Sequence, residues 1–189
     1  MSKMKDINER EHFNRWSSSY EQSFMQWLMF DRVHGGVLRR VPPDFTPQDI
    51  LDIGCGTGRL LRRMGARWPG VHLCGVDLAE GMVVQARRGT PGAAIYQAPA
   101  ERLPLADASF DLATSTTSFH HWSDQAQGVR EVARVLRKGG LFILADMSIP
   151  AHGRAQSRSQ VRRMFQEAGL AILSQDNPVM FFTFTVGKK

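Results

Sequence analysis

The feature that most constrains the fold is an alternation, from Asp49 onward, between short apolar runs and amphipathic segments. The runs have the length and content of buried β-strands, and the segments between them place apolar residues at the spacing of one helix face. Parallel strands need long crossover connections, and helices supply them. The pattern therefore predicts an α/β fold, in which a mostly parallel sheet carries helices on both faces.

The predicted elements continue this pattern to the end of the sequence. Strands are predicted at 50–54, 71–77, 93–98, 110–117, 141–147, 171–175 and 179–187, and helices at 59–68, 79–88, 124–140 and 159–170. Gly139 is placed to end the helix that begins at residue 124. Only the turn sequence Asp176-Asn177-Pro178 links the last two strands, so the last strand must run antiparallel to its predecessor.

Residues 8–40 differ in character from the rest, because they are rich in aromatic residues and read as helical. The proline-rich stretch at 42–47 separates them from the first strand. We therefore expect an N-terminal helical lid segment at 1–42 and a sheet domain at 43–189, together forming one structural domain. The same aromatic residues suit the interface of a homodimer, and both hypotheses stay open.

The net charge of +6 raises the question of nucleic-acid binding. The arginines and lysines are spread along the chain, mostly at polar positions of predicted helices, which favours solvated helix faces over a nucleic-acid-binding surface. Two cysteines are too few for a disulfide framework, and no metal-ligand spacing is present. With a polar N-terminus and no apolar run of membrane-spanning length, we expect no membrane insertion and a cytoplasmic location.

Three glycines at alternate positions, 54, 56 and 58, come directly after the first predicted strand. Glycine lets the main chain adopt unusual angles and approach a ligand closely. Ligands of open parallel sheets bind beyond the carboxyl ends of the strands. Asp77 ends the second strand, where its carboxylate can accept hydrogen bonds from both hydroxyls of a ribose. Together these residues predict a site for an adenosine-containing ligand.

The spacing of the glycines distinguishes between two adenosine-containing ligands, a dinucleotide and S-adenosylmethionine. The dinucleotide pattern is Gly-x-Gly-x-x-Gly, whereas here the third glycine comes one residue early and is followed by Arg59. S-adenosylmethionine carries no phosphate, and its methionine end has an ammonium group. Asp52, at the end of the first strand, provides a carboxylate for that group, so the sequence favours S-adenosylmethionine.

Four segments then carry a resemblance to a known family: LDIGCGTG, GVDLAEGMVVQAR, AERLPLADASFDLATSTTSFHHW and REVARVLRKGGLFILADM. They resemble successive motifs of class I S-adenosylmethionine-dependent methyltransferases, and above all the type-11 methyltransferase domain, which includes ubiquinone- and menaquinone-biosynthesis-like enzymes. The resemblance covers 48–147 closely and 10–40 and 157–189 loosely. It implies a Rossmann-like, seven-stranded sheet with an antiparallel last strand. It also implies S-adenosylmethionine as cofactor, S-adenosylhomocysteine as product and no metal.

The resemblance also implies roles for individual residues. The residues implied for cofactor binding are Tyr20, Asp52, Gly54, Gly56, Gly58, Asp77, Leu78, Pro99, Ala100, Glu101 and Ser115. The glycines surround the methionine part, with Asp52 behind its amino group, and Asp77 holds the ribose. Leu78 packs on the adenine, Ser115 offers backbone to the amino-acid moiety, and Tyr20 covers the cofactor from the N-terminal segment.

Pro99 departs from the family pattern, because many relatives have Asp or Asn there to take the adenine amino group. Proline has neither a side-chain acceptor nor an N–H. Adenine must then be held by backbone groups, by Glu101, or less tightly. Glu101 has an alternative role as a surface carboxylate paired with a nearby arginine.

Methyl transfer from a sulfonium is an in-line displacement, so the protein must align acceptor, methyl and sulfur. His120 and His121 follow the fourth strand at the rim where an acceptor would lie. Either is a candidate catalytic base for a hydroxyl acceptor, and the alternative is a structural or pocket-lining role. Aromatic faces stabilise a sulfonium, and Trp16, Tyr20 and Trp122 are candidates for that contact.

Three hypotheses for function follow. The leading one is a methyltransferase that acts on a small-molecule or lipid-like acceptor. The positive charge motivates a second, an RNA or protein methyltransferase, although no Asn/Asp-Pro-Pro-Tyr/Phe motif is present. Pro99 and the short polar segment at 148–159 motivate a third, a catalytically silent S-adenosylmethionine-binding module that assembles with partners.

Overall fold

A computed structural model of the chain describes residues 24–147, 155–179 and 181–189. In these residues seven strands form one sheet, in the order β3-β2-β1-β4-β5-β7-β6. The strands are β1 (Asp49–Ile53), β2 (His72–Asp77), β3 (Ala94–Gln97), β4 (Phe110–Thr116), β5 (Leu136–Met147), β6 (Ala171–Val179) and β7 (Phe182–Lys188). The α-helices of the same residues are α1 (Phe24–Arg40), α2 (Arg59–Arg67), α3 (Glu80–Gly89), α4 (Gln125–Val135) and α5 (Arg158–Glu167).

The pairing of the strands gives the sheet its direction. β1 pairs in parallel with β2 and β4, β2 with β3, and β4 with β5. β7 lies antiparallel between β5 and β6, so it is the strand that runs against the others. The predicted α/β fold, a mostly parallel seven-stranded sheet with an antiparallel last strand, is confirmed.

Side chains alternate between the two faces of each central strand and feed two separate cores. Ile50, Leu112 and Ile143 face the core that α1, α2 and α3 complete. Their neighbours point the opposite way, into the core that α4 and α5 cover, where the rings of Phe142 and Phe165 stack at 5.0 Å. The strands therefore read as continuous apolar runs because both faces of the sheet are buried.

Helix α1 packs directly on the sheet. Val33 and Val37 are fully buried, and a Cβ built on Gly36 would lie 2.7 Å from the ring of Phe184 on β7. Residues 24–40 of the predicted lid segment thus share a core with the sheet, and residues 1–23 lie outside the described residues. The division of the chain at residue 42 stays a prediction. Over the described ranges no helix is long and apolar enough to cross a membrane.

The predicted helix at 124–140 is wrong at its C-terminal end. α4 stops at Val135, and the chain enters β5 at Leu136. Gly139 does not end a helix but lies in the irregular start of the strand, at φ 85°. Its N–H donates to the carbonyl of Lys189, and the Lys189 N–H donates to the carbonyl of Gly140. Tertiary pairing with the end of β7 overrides the local helical pattern here.

The predicted turn at Asp176-Asn177-Pro178 is also wrong, because these residues lie inside β6. The pairing of β6 with β7 shifts register between Asp176 and Val179. β6 is an edge strand, so a proline that lacks an N–H is tolerated there. The chain instead reverses after Val179, and Phe181 adopts φ 71° just before β7.

Arg134 of α4 anchors the loop that follows β3. Its guanidinium donates to the carbonyls of Leu103 and Leu105, to the carboxylate of Asp107 and to both carboxylate oxygens of Glu131. Glu131 in turn accepts the N–H of Leu103 at 2.8 Å. This network fixes the loop whose first residues, 99–101, line the cavity described below.

Replacement of Arg134 should therefore destabilise the fold. Arg134→Met removes several charge-assisted hydrogen bonds, and we expect the free energy of unfolding to fall by about 2–3 kcal/mol in urea denaturation. Arg130→Met is the matched control, since Arg130 is exposed on the same helix and donates only to Gln127. It should change stability by less than about 0.5 kcal/mol. Equal effects of the two substitutions would contradict the anchoring role.

Candidate functional site

The turn between β1 and α2 is built from the three glycines, all in the left-handed region: Gly54 at φ 70°, Gly56 at φ 53° and Gly58 at φ 80°. The N–H of Gly54 donates to the carbonyl of Val76 on β2 at 2.7 Å. The N–H of Gly56 donates to the carboxylate of Asp77 at 2.8 Å. The turn is thus fastened to the end of the neighbouring strand.

Gly54 lets two loops meet at the centre of the site. A Cβ at this position would lie 1.9 Å from the Oγ of Ser118, in the loop that follows β4. The same Oγ accepts a hydrogen bond from the indole Nε1 of Trp122 at 3.1 Å. Only glycine permits this approach, which ties the β1 turn to the β4 loop.

Gly58 and Gly56 serve different purposes. A Cβ on Gly58 would lie 2.6 Å from Thr90 Oγ1 and 3.6 Å from Ala86, so Gly58 permits α2 to pack closely beside α3. It does not line either cavity described below. A Cβ on Gly56 would meet nothing within 4 Å, and Gly56 lines both cavities. Gly56 is therefore the glycine whose backbone is open to a ligand.

Two cavities lie at the carboxyl ends of the strands. The large cavity, about 870 Å³ and partly open, is lined by Ile53, Gly54, Gly56, Val76–Ala79, Met82, Ala98–Glu101, Thr116–Ser118 and His121–Ser123. The small cavity, about 350 Å³, is lined by Phe30, His34, Asp52, Gly54–Thr57, Arg59, Leu60, Thr116 and Thr117. The two share Gly54, Gly56, Thr116 and Thr117, so a single ligand can extend from one to the other across these residues.

Asp77 lies on the wall of the large cavity. Its carboxylate accepts the N–H groups of Gly56, at 2.8 Å, and of Ala79, at 2.9 Å. Burial raises the pKa of Asp77, and these backbone donors partly offset that effect. Each carboxylate oxygen has a second lone pair, so the group retains acceptor capacity toward a ligand.

Asp52 is almost fully buried beneath the small cavity. Its Oδ1 accepts a hydrogen bond from the hydroxyl of Thr114 on β4 at 2.7 Å. Burial raises the pKa of Asp52 to about 7, the nearby charge of Asp77 adds to the rise, and the Thr114 hydroxyl opposes it. Among the described residues no cationic side chain lowers the pKa of either acid. Two buried carboxyl groups whose pKa values are raised in this way favour a cationic ligand.

The residues expected to hold a flat ring line the outer part of the large cavity. Leu78 is 38% exposed there, and Pro99, Ala100 and Glu101 form the facing segment. The carboxylate of Glu101 accepts the backbone N–H of Asp124 at 2.9 Å, and no arginine of the described residues pairs with it. This hydrogen bond joins the segment to the start of α4.

The two candidate histidines have different surroundings. His121 lines the large cavity, whereas His120 is buried and is not part of the lining. The carboxylate of Asp146, at the end of β5, accepts the backbone N–H of His120 and contacts its ring Nδ1, both at 2.7 Å. We assign the ring proton to Nδ1 on this geometry, which leaves the lone pair on Nε2.

The remaining predicted site residues have different positions. Ser115 is fully buried in β4, and its Oγ has no hydrogen-bond partner among the described residues. Thr116, Thr117 and Ser118, the next residues along, line the large cavity instead. Trp16 and Tyr20 lie outside the described residues. Trp122 is buried, packs edge-on against Phe119 and lines the large cavity.

Sequence reasoning missed three residues that shape the site. Asp146 is the next-to-last residue of β5, and Asp52 and Asp77 lie in the same way at the ends of β1 and β2. An acid at the carboxyl end of a strand was therefore an available signal. Ser118 and His34 offered no comparable signal, because their contacts depend on loop and helix packing. Over the described residues no group of His, Cys, Asp or Glu is arranged to hold a metal ion.

Comparisons with known proteins show the family of the chain. A family profile described as a methyltransferase domain, type 11, matches residues 51–144. The malonyl-[acyl-carrier protein] O-methyltransferase of Dechloromonas aromatica is 35% identical over 139 residues, covering 73% of this chain and 50% of that protein. A demethylmenaquinone methyltransferase of Chlorobaculum parvum is 37% identical over 101 residues, covering 53% of this chain and 42% of that protein. The chain spans half or less of the length of these relatives.

Solved structures show the same fold. The YcgJ protein of Bacillus subtilis has a TM-score of 0.66 at 30% identity, covering 77% of this chain and 72% of that one. A chain from the complex of the Haloferax volcanii Trm112 methyltransferase activator with a methyltransferase has a TM-score of 0.76, covering 93% and 96%. Its 23% identity shows likeness of fold alone.

The sheet order, the glycine turn after β1 and the acids at the ends of β1 and β2 define the class I fold of S-adenosylmethionine-dependent methyltransferases. Within that class, the profile match and the likeness to YcgJ show that the chain belongs to the type-11 methyltransferase domain family. The family expected from the sequence motifs is confirmed.

Gly54→Ala should test the close approach to Ser118. The new Cβ would collide with the Ser118 side chain in addition to the left-handed strain. Gly70→Ala is the matched control, because Gly70 has φ 85° and nothing within 4 Å of its Cβ position. We expect a cost of about 1–2 kcal/mol for Gly70→Ala and roughly 2 kcal/mol more for Gly54→Ala, measured by urea denaturation. Similar costs would show that Ser118 moves away freely.

Asp52→Asn should stabilise the ligand-free protein at alkaline pH. In the unfolded chain the carboxyl ionises near pH 4, but in the folded protein only near pH 7. Its contribution to stability is therefore complete below pH 4 and is lost as the pH rises through 7, by on the order of 4 kcal/mol. We expect Asp52→Asn to raise the unfolding free energy substantially at pH 8 and by only about 1 kcal/mol at pH 4.5. The exposed Asp44→Asn is the control, and a gain equal at both pH values would contradict the raised pKa.

Proposed function

We propose that the chain transfers a methyl group from S-adenosylmethionine to a small-molecule or lipid-like acceptor by in-line displacement. The observation that carries the proposal is the pair of buried acids, Asp52 and Asp77, beside two joined cavities, with both pKa values raised by burial and neither lowered by a cationic side chain of the described residues. S-adenosylmethionine supplies two positive charges, on its sulfonium and its ammonium group. Its adenosine and methionine parts also match two compartments of unequal size.

The residues fit this cofactor in a consistent order along the site. Asp77 would accept the ribose hydroxyls, and Leu78 would pack on the adenine. With Pro99 in place of a side-chain acceptor, backbone groups of 99–101 would meet the adenine edge, since the Glu101 carboxylate already accepts the Asp124 N–H. The open backbone of Gly56 would let the cofactor cross between the cavities, toward Asp52 in the small one.

When bound, the cofactor supplies a methyl group activated by a positively charged sulfur. The chain itself needs no covalent step: it must bind both reactants, orient them in line and exclude water, which together lower such barriers by about 7–11 kcal/mol. The Trp122 indole, held by its hydrogen bond to Ser118, offers an aromatic face on the cavity wall. Such a face stabilises a cation by roughly 0.5–2 kcal/mol.

The acceptor side of the site is the rim formed by the loop after β4. His121 lines the large cavity, and its ring lies 4.0 Å from the ring of His120. Asp146 fixes His120, and through it the short helix Phe119–His121. We propose His121 as the group that meets the acceptor and, for a hydroxyl acceptor, takes its proton. His120 and Asp146 would act as positioning residues.

The acceptor class rests on the relatives. Those named above act on malonyl-[acyl-carrier protein] and demethylmenaquinone, and the large cavity carries an apolar lining that includes Leu78, Met82 and Trp122. These features support an acceptor with a small reactive group on an apolar body. RNA or protein methylation, and cofactor binding without transfer, are the outcomes that the second test below separates from this proposal.

Asp77→Ala should weaken cofactor binding strongly, because the ribose loses its charged acceptor. Calorimetry should show an affinity for S-adenosylmethionine lower by about 10–100-fold, the equivalent of one or two lost charge-assisted hydrogen bonds. His121→Ala is the control within the same cavity and should remain within about threefold of the parent chain. Because Asp77 also fastens Gly56, Asp77→Asn should be measured beside it. Normal binding by Asp77→Ala would show that the ribose lies elsewhere.

A transfer assay tests the activity itself. The chain is incubated with S-adenosylmethionine labelled in its methyl group and with fractionated cell extract. We expect label in the small-molecule or lipid fraction, and a large loss of transfer in His121→Ala although its cofactor affinity is kept. Label confined to RNA or protein would support the alternative acceptor. Cofactor binding with no label in any fraction would support the silent binding module.

A further inference from the structure

His34 of α1 is a buried histidine that the proposed chemistry does not use. It is 5% exposed and lines the small cavity. Its Nδ1 is buried and has no hydrogen-bond partner among the described residues. A buried polar atom left unsatisfied costs about 1–3 kcal/mol, so a phenylalanine or leucine would serve packing better. The position instead suggests a ligand contact.

His34 stands in a positively charged environment but is itself neutral. Burial, together with the charges of Arg59, Arg63 and Arg62, lowers the pKa of His34 to about 3. A neutral imidazole carries one N–H and one lone pair. With the lone pair on the occluded Nδ1, the N–H falls on Nε2, and the ring acts as a hydrogen-bond donor without adding charge.

Arg59 supplies the charge in the same cavity. It lines the small cavity and is the first residue of α2. Gly58 is the N-cap residue of this helix, and no side chain caps its N-terminus. The positive end of the helix dipole therefore also points to this region. The N-terminus of α2 thus lies beside an arginine and beside a buried histidine whose Nδ1 lacks a partner among the described residues.

The small cavity thus combines two kinds of group. Asp52 offers a carboxylate for a cation, and Arg59 with His34 offers donors for an anion. A phosphate would be repelled by Asp52, and a simple cation by Arg59. An α-amino acid carries both charges on adjacent groups and suits both sides of this cavity. The cavity also connects with the large one across Gly54 and Gly56.

We propose that His34 and Arg59 bind the α-carboxylate of the cofactor and make the chain selective for S-adenosylmethionine over its decarboxylated form. The inference rests on the proposed function, because it assumes that the adenosine part occupies the large cavity. It adds a specificity-determining role for a residue of α1, which no cofactor motif includes. The carboxylate would give the orphaned histidine the polar partner that the described residues lack.

The test compares two ligands on matched variants by calorimetry: S-adenosylmethionine and decarboxylated S-adenosylmethionine. The parent chain should bind the first at least about tenfold more tightly, as expected for a charge-assisted contact. His34→Phe should weaken S-adenosylmethionine by about 5–30-fold and leave the decarboxylated ligand within about twofold. Arg59→Met should act in the same direction, and His34→Gln, which restores a donor, should recover part of the affinity.

Arg63→Met is the control for long-range charge, because Arg63 lies near His34 but pairs with Asp31 and lines neither cavity. It should change both affinities by less than about threefold. Thermal unfolding provides a second readout: His34→Phe should keep or raise the melting temperature while it loses cofactor affinity.

The outcomes separate this proposal from the function that it assumes. Binding of both ligands with equal affinity by the parent chain would overturn the carboxylate subsite and leave cofactor binding intact. A loss of affinity for both ligands in His34→Phe and His34→Gln alike would assign His34 to packing, and would also overturn it. No binding of either ligand by the parent chain would instead refute the proposed function.

Discussion

The site depends on one close approach, between the backbone of Gly54 and the side chain of Ser118. This approach places the turn after β1 and the loop after β4 in direct contact, although they are more than sixty positions apart in the sequence. Ser118 holds the Trp122 indole, and Asp77 holds the backbone of Gly56. The residues shared by the two cavities and the position of the Trp122 indole on the wall of the large one therefore depend on this junction.

The acids at the strand ends lower the stability of the fold, because their carboxyl groups are buried beside the cavities. Asp52 gains one hydrogen bond, from Thr114, which does not offset its burial, and its pKa rises to about 7. A purely structural position would hold an amide or an apolar side chain. Buried acids with raised pKa values are concentrated at functional sites, because selection keeps only as much stability as the protein needs. The surrounding sheet, buried on both faces, tolerates it.

The sequence was most informative where local pattern and tertiary structure agree. The alternation of apolar runs and amphipathic helices predicted the sheet, and three of the residues singled out in the sequence, Gly54, Gly56 and Asp77, line the large cavity. The end of α4 and the last turn were missed, because Lys189 draws Gly139 and Gly140 into pairing and an edge strand tolerates Pro178. The role of Ser115 stays a prediction, although the residues that line the large cavity are the three that follow it. His34 carried no signal, since its neighbours come from a different helix and a loop.

The carboxyl groups along the strand ends have a consequence for turnover. Asp52 and Asp77 leave this edge of the sheet electronegative in a chain whose net charge is +6. Such an edge attracts the more positive of two similar molecules. Under the proposed function, a sulfonium held there would become a neutral sulfide on loss of its methyl group, and the ligand would carry one positive charge less. This edge of the sheet would then attract the product less strongly than the cofactor, and the charge difference would favour release of the product.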